Sequence, residues 1–141
     1  MKMLFLPLLL ASLAGFFSEI TLDELRWKNR ILLVFPAVDS RPIGQVNKEL
    51  MADIEERDMV YFIFGDSLIS NSSYTFDANY VEQLRERYVR GTQKSCYVLL
   101  GKDGGSKLRR EQEEINWEEL FGTIDAMPMR RREMREDGKG S

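Results

Sequence analysis

Histidine is absent from this 141-residue chain, and cysteine occurs once, at Cys96. Those two shortages exclude most familiar mechanisms. No Ser-His-Asp or Cys-His pair can form, and no histidine can ligate zinc or haem. A Cys-x-x-Cys redox couple and an internal disulfide are equally out of reach. Long apolar runs are missing too: the stretch from Leu4 to Phe17 falls short of the roughly 20 residues that span a bilayer. Charge of one sign is in no great excess. A net charge of −3 gives no overall attraction to nucleic acid or anionic lipid. No internal repeat and no low-complexity tract is found.

What the N-terminus does contain reads as an export signal over residues 1–14. Lys2 is the positive start, Leu4 to Leu10 opens the apolar core, and Ser12-Leu13-Ala14 places small residues before a cleavage point at Gly15. Loss of Lys2 with this segment takes the charge from −3 to −4. Residues 15–141 then form a single domain, long enough to bury a core without a disulfide. The expected habitat is the periplasm or the medium. Stable membrane insertion is not expected once the signal is gone, and a monomer is the default.

The apolar pattern alternates strands with helices. A short helical turn over Ile20–Leu25 precedes Ile31–Phe35, whose unbroken apolar run predicts a strand buried on both faces. Asp39-Ser40-Arg41-Pro42 supplies helix-start chemistry, with Ile43, Val46, Leu50, Met51 and Ile54 as the inward stripe. Met59–Phe64 is the next strand and, after a crossover helix, should lie parallel to the first. Gly65–Phe76 reads as a polar loop. A helix from Asp77 carries Val81, Leu84 and Tyr88 inward. Cys96–Leu100 is a third strand, the Gly101–Gly105 turn makes a hairpin, and Ser106–Arg109 returns as a charged edge strand. Asn116 and Glu119 form a capping-box-like pair for a last helix with Trp117, Leu120, Phe121, Ile124 and Met127 inside, and Pro128 stops it.

Four segments carry a resemblance. Leu25–Phe35 (LRWKNRILLVF), Glu56–Val60 (ERDMV), Leu100–Arg109 (LGKDGGSKLR) and Ile124–Arg130 (IDAMPMR) resemble an uncharacterised, peroxiredoxin-like domain of exported bacterial proteins. Copies of that domain also occur in vertebrate secreted sushi-repeat and extracellular-matrix proteins. The resemblance implies an α/β, thioredoxin-like fold, with a central mixed sheet of about four strands flanked by helices. It also implies where to look: the working cysteine of such folds sits where the first strand meets its helix, beside a cis-proline before the third strand. Here that corner is Pro36–Arg41, without a thiol, and Gly91–Ser95 has no proline. Peroxide reduction and disulfide exchange through the corner are therefore chemically closed.

The preferred reading is a non-catalytic binding or interaction module, with no cofactor. Its candidate binding residues are Asp39, Ser40, Arg41 and Gln45 at the corner, then Arg130, Arg131 and Arg132 in a basic tail suited to a protein or acidic ligand. The alternative is a single-cysteine peroxiredoxin-like oxidoreductase. An antiparallel third strand brings Cys96 toward Asp39, Ser40 and Arg41, where a cation and a helix start would lower its pKa; as a plain residue, Cys96 is a small piece of core.

Other constellations have blander readings. Asp39, Asp66 and Asp103 each follow a strand, but turns and caps account for them, so no metal site is expected. Trp27 among Arg26, Lys28 and Arg30 could make a cation–π surface or an anion clamp, but the preferred expectation is that it packs on the core while the cations stay solvated. Gly101–Gly105 lacks the Gly-Lys-Ser/Thr ending of a phosphate loop.

Overall fold

The computed structural model describes residues 18–40 and 46–139. The expected signal, with Arg41, Ile43 and Gln45, lies outside the described residues. In chain order the strands are β1 (Ser18–Glu19), β2 (Arg30–Phe35), β3 (Met59–Phe64), β4 (Leu68–Ser70), β5 (Tyr74–Thr75), β6 (Cys96–Leu100) and β7 (Ser106–Arg110). The helices are α1 (Lys48–Glu56), α2 (Ala78–Tyr88), α3 (Trp117–Asp125) and α4 (Pro128–Lys139), with one 3-10 turn at Leu22–Leu25.

Five strands form one mixed sheet in the order β4-β3-β2-β6-β7, one more than the four expected. β2 and β3 are parallel, with Ile31 beside Val60, as a strand-helix-strand crossover requires. β6 runs antiparallel to β2, with Phe35 opposite Cys96 and Ile31 opposite Leu100. Every residue of β2, β3 and β6 is buried, which explains why those strands are apolar without alternation. One face packs Leu33, Phe62 and Val98 against Leu84 and Tyr88 of α2. The other packs Leu32, Tyr61 and Leu99 against Ile54 of α1 and Leu120 and Ile124 of α3. Each such side chain contributes about 1.5–3 kcal/mol by leaving water.

Several expectations are corrected. The crossover helix begins at Lys48, not at Asp39-Ser40: Asn47 Oδ1 accepts from the Leu50 N–H at 2.7 Å. Ser40 instead closes a turn, its N–H and Oγ both donating to the Ala37 carbonyl at 3.1 and 2.7 Å. The supposed loop after Gly65 contains β4 and β5. β4 pairs antiparallel with β3, and β5 pairs with β1 in a separate two-stranded ribbon. The capping box at Asn116 is half made. Its Oδ1 accepts from the Glu119 N–H at 3.0 Å, but the Glu119 carboxylate accepts from Arg110 instead. Pro128 ends α3 as expected, but that helix is not the last: the chain starts α4 there, with proline at a first-turn position that tolerates it.

Candidate functional site

An open cleft lies at each end of the sheet. At the C-terminal ends of β2 and β3, Pro36, Ala37, Val38 and Ser40 face Gly65, Asp66 and Ser67 across an open cleft of about 480 Å³. Val38 and Ile69, both in its lining, are exposed apolar side chains. Asp39 is exposed nearby. The antiparallel pairing does bring Cys96 to this corner: it sits opposite Phe35, and its neighbour Ser95 accepts through Oγ from the Ala37 N–H at 2.8 Å. Its chemistry is that of a core residue. Cys96 is 1 % exposed, and burial pushes its thiol pKa up, an effect the nearby Arg109 charge only partly offsets. Thiolate, the reactive form, is thereby disfavoured.

At the opposite end, the four sequence segments singled out above converge. Arg30 opens β2, Arg57 and Asp58 lead into β3, Lys102 follows β6, and Asp125 and Arg130 flank the break between α3 and α4. Arg30 donates through Nη1 to the Arg57 carbonyl at 3.0 Å and, through both Nη atoms, to the Glu133 carboxylate. Lys102 Nζ bridges Asp58 Oδ2 at 2.9 Å and Glu133 Oε1 at 2.7 Å. Asp125 takes two bonds from Arg57 and one from Arg130, whose Nη2 also reaches Glu56. A distance of 4.0 Å between Arg130 Nη1 and Glu133 Oε2 joins the two halves.

Partial burial works against ionisation of Asp125, but the hydrogen bonds from Arg57 and Arg130 overcome it and hold its pKa below the ordinary carboxylate range. Glu133 behaves likewise, with Lys102 and Arg30 as its partners. The network is a charge-balanced weld between α4 and the sheet. It corrects two expectations about cations. Arg130 is only 2 % exposed, its guanidinium held by Asp125, the Glu56 carboxylate and the Glu56 carbonyl, so of the three tail candidates only Arg131 and Arg132 are exposed. Arg30, expected in solvent, is 1 % exposed.

Trp27 is corrected in the other direction. Its residue is 62 % exposed and adopts φ 69°, a left-handed conformation that a bulky side chain rarely takes. The Trp27 N–H donates to the Lys102 carbonyl at 2.6 Å, which pins it against the hairpin. Asp58 (φ 51°) and Gly104 (φ 84°) share this left-handed geometry at the same end. At Gly104 the positive φ is what favours glycine; a Cβ there would lie 3.0 Å from Arg26 Nε, the end of a flexible side chain that would have to give by a few tenths of an ångström. Backbone strain of this kind gathers at functional sites. Beside Trp27 opens a cleft of about 570 Å³ walled by Met127, Pro128 and Met129, with Arg30 and Lys102 in its lining.

Sequence reasoning weighs Trp27 with Arg26, Lys28 and Arg30 as an anion clamp but favours plain packing, and so passes over this end. A lone arginine heading an otherwise apolar strand is a further signal, and its partner lies 103 residues away. Asp103 stands at this end and away from Asp39, as the hairpin predicts. Among the described residues no group of three or more His, Cys, Asp or Glu could hold a metal ion. Nor is any described helix long and apolar enough to cross a membrane. A family model described as "Domain of unknown function (DUF4174)" matches residues 21–133. No curated protein matches the chain.

Proposed function

We propose, for a chain that belongs to the DUF4174 family, an exported, non-catalytic binding module built on a thioredoxin-like scaffold. One observation carries the reading: the corner keeps an open cleft with exposed Val38 and Ile69, while the chain's single thiol is sealed beneath it with a raised pKa. An accessible apolar rim without an accessible thiol suits holding a partner better than redox chemistry. Asp39 and Ser40 are the polar complement of that rim in this reading, with Arg41 and Gln45 following them in sequence.

The test is partner capture from the envelope or medium of the native host, with tagged wild-type protein and three variants. Capture that survives Cys96→Ala but is lost in Val38→Glu and Arg41→Ala supports the module. Peroxide consumption or insulin reduction that disappears with Cys96 replaces it by the single-cysteine oxidoreductase.

A further inference from the structure

The end of the sheet opposite the corner carries a second inference, independent of the first. We infer that the cleft beside Trp27 binds a small organic acid, with its apolar body against Trp27, Met127 and Met129 and its carboxylate on Arg30. The volume, about 570 Å³, falls within the range of roughly 300–1,000 Å³ typical of small-molecule sites. An exposed indole and two methionines give an aromatic platform with adaptable walls.

The choice of an acid follows from the hydrogen-bond inventory. Arg30 lines the cleft, is 1 % exposed, and its Nε is a buried side-chain donor without a partner. Leaving a buried charged donor unmet is costly, and such groups call for an explanation. The carboxylates around it are already taken: Glu133 by Arg30 and Lys102, Asp58 by Lys102. Asp103, which also lines the cleft, is held by Lys107 and the Gly105 N–H, so none of these carboxylates serves Arg30 Nε; the carboxylate of a ligand would, with charge assistance. Nε has essentially no contact with solvent, so the inference requires Met127 or Met129 to rotate as the acid enters, a motion unbranched thioethers allow. The conformation of Trp27 fits the same purpose, because its strained backbone holds an indole out over the opening, where it gains little from burial.

The experiment is an NMR titration of the whole exported chain with 4-phenylbutyrate and, separately, with the neutral 4-phenyl-1-butanol. The expected result is saturable shifts at the Trp27 indole N–H, the Met127 and Met129 methyls and the Arg30 Nε–H, with the acid binding about tenfold tighter than the alcohol. Met129→Glu, at an exposed position, should abolish both. Arg30→Gln, which removes both Nε and the charge, should bring the acid down to the affinity of the alcohol; if that variant does not fold, Met129→Glu and the acid-to-alcohol ratio still decide. Absence of saturable shifts, shifts centred on Val38 and Ile69, or equal binding of acid and alcohol would each overturn the inference. None of those outcomes touches partner capture at the corner.

Discussion

Arg30 and Glu133 meet in a two-pronged ion pair, Nη1 to Oε2 at 3.2 Å and Nη2 to Oε1 at 3.3 Å, which ties the first residue of β2 to the second turn of α4. Arg30 is closed to solvent and Lys102 nearly so, and both depend on the same carboxylate. Replacing it leaves the buried Arg30 without a carboxylate and Lys102 with Asp58 alone. Glu133→Ala is expected to cost about 3 kcal/mol. Urea unfolding should show the loss as a lower midpoint with an unchanged slope. A loss under about 0.5 kcal/mol, the ordinary level for a surface change, would contradict the weld.

Acid should undo the same joint. Asp125 and Glu133 both have folded pKa values below their unfolded ones. Their contribution is therefore complete above the ordinary carboxylate range of about 4 and is lost as pH falls through the depressed folded values. Stability measured by urea midpoint is expected to hold from neutral pH to about 5 and then fall steeply. In an Asp125→Asn, Glu133→Gln double variant, starting stability should be lower and the acid slope shallower. An unchanged slope would mean that other carboxylates carry the acid response.

Trp27 gives a prediction of opposite sign. A left-handed residue costs about 1–2 kcal/mol unless it is glycine or, less so, asparagine. Because the indole is largely exposed, Trp27→Asn should leave stability unchanged or raise it by up to about 1 kcal/mol. Thermal unfolding checks this. A clear fall in melting temperature would show that the indole packs as structure.

Cys96 should behave as filler. A thiol reagent is expected to label the native protein far more slowly than the urea-unfolded chain, since burial hides Cys96 and raises its pKa. Cys96→Ala should cost about 1 kcal/mol, in line with loss of a small core group. Fast stoichiometric labelling of the native state would break this expectation.

Much of the scaffold was legible because periodicity reports burial. The unbroken apolar runs of β2, β3 and β6 follow directly from helices on both faces, and Asp77, which caps α2 by accepting from the Asn79 N–H, was visible as a start signal. β4 was hidden for a physical reason. It is a short edge strand, and side chains do part of its pairing: Asn71 accepts through Oδ1 from the Tyr61 N–H and donates through Nδ2 to the Met59 carbonyl. Where a side chain replaces a strand partner, the sequence looks like a loop. The basic tail misled in the opposite sense. Arg130 and Arg131 are adjacent and alike in sequence, yet one is sealed among carboxylates and the other is exposed. That difference comes from the direction of α4 against the sheet, which no local pattern encodes.

The weld also has a temporal meaning. A ribosome delivers Arg30, Arg57 and Lys102 well before Asp125 and Glu133, so the growing polypeptide lacks the carboxylates that Arg30 and Arg57 bind until α3 and α4 emerge. Closure of the joint is thus deferred until α4 is made. Stalled nascent chains that end before Trp117 should be readily digested, while those that expose Glu133 beyond the exit tunnel resist.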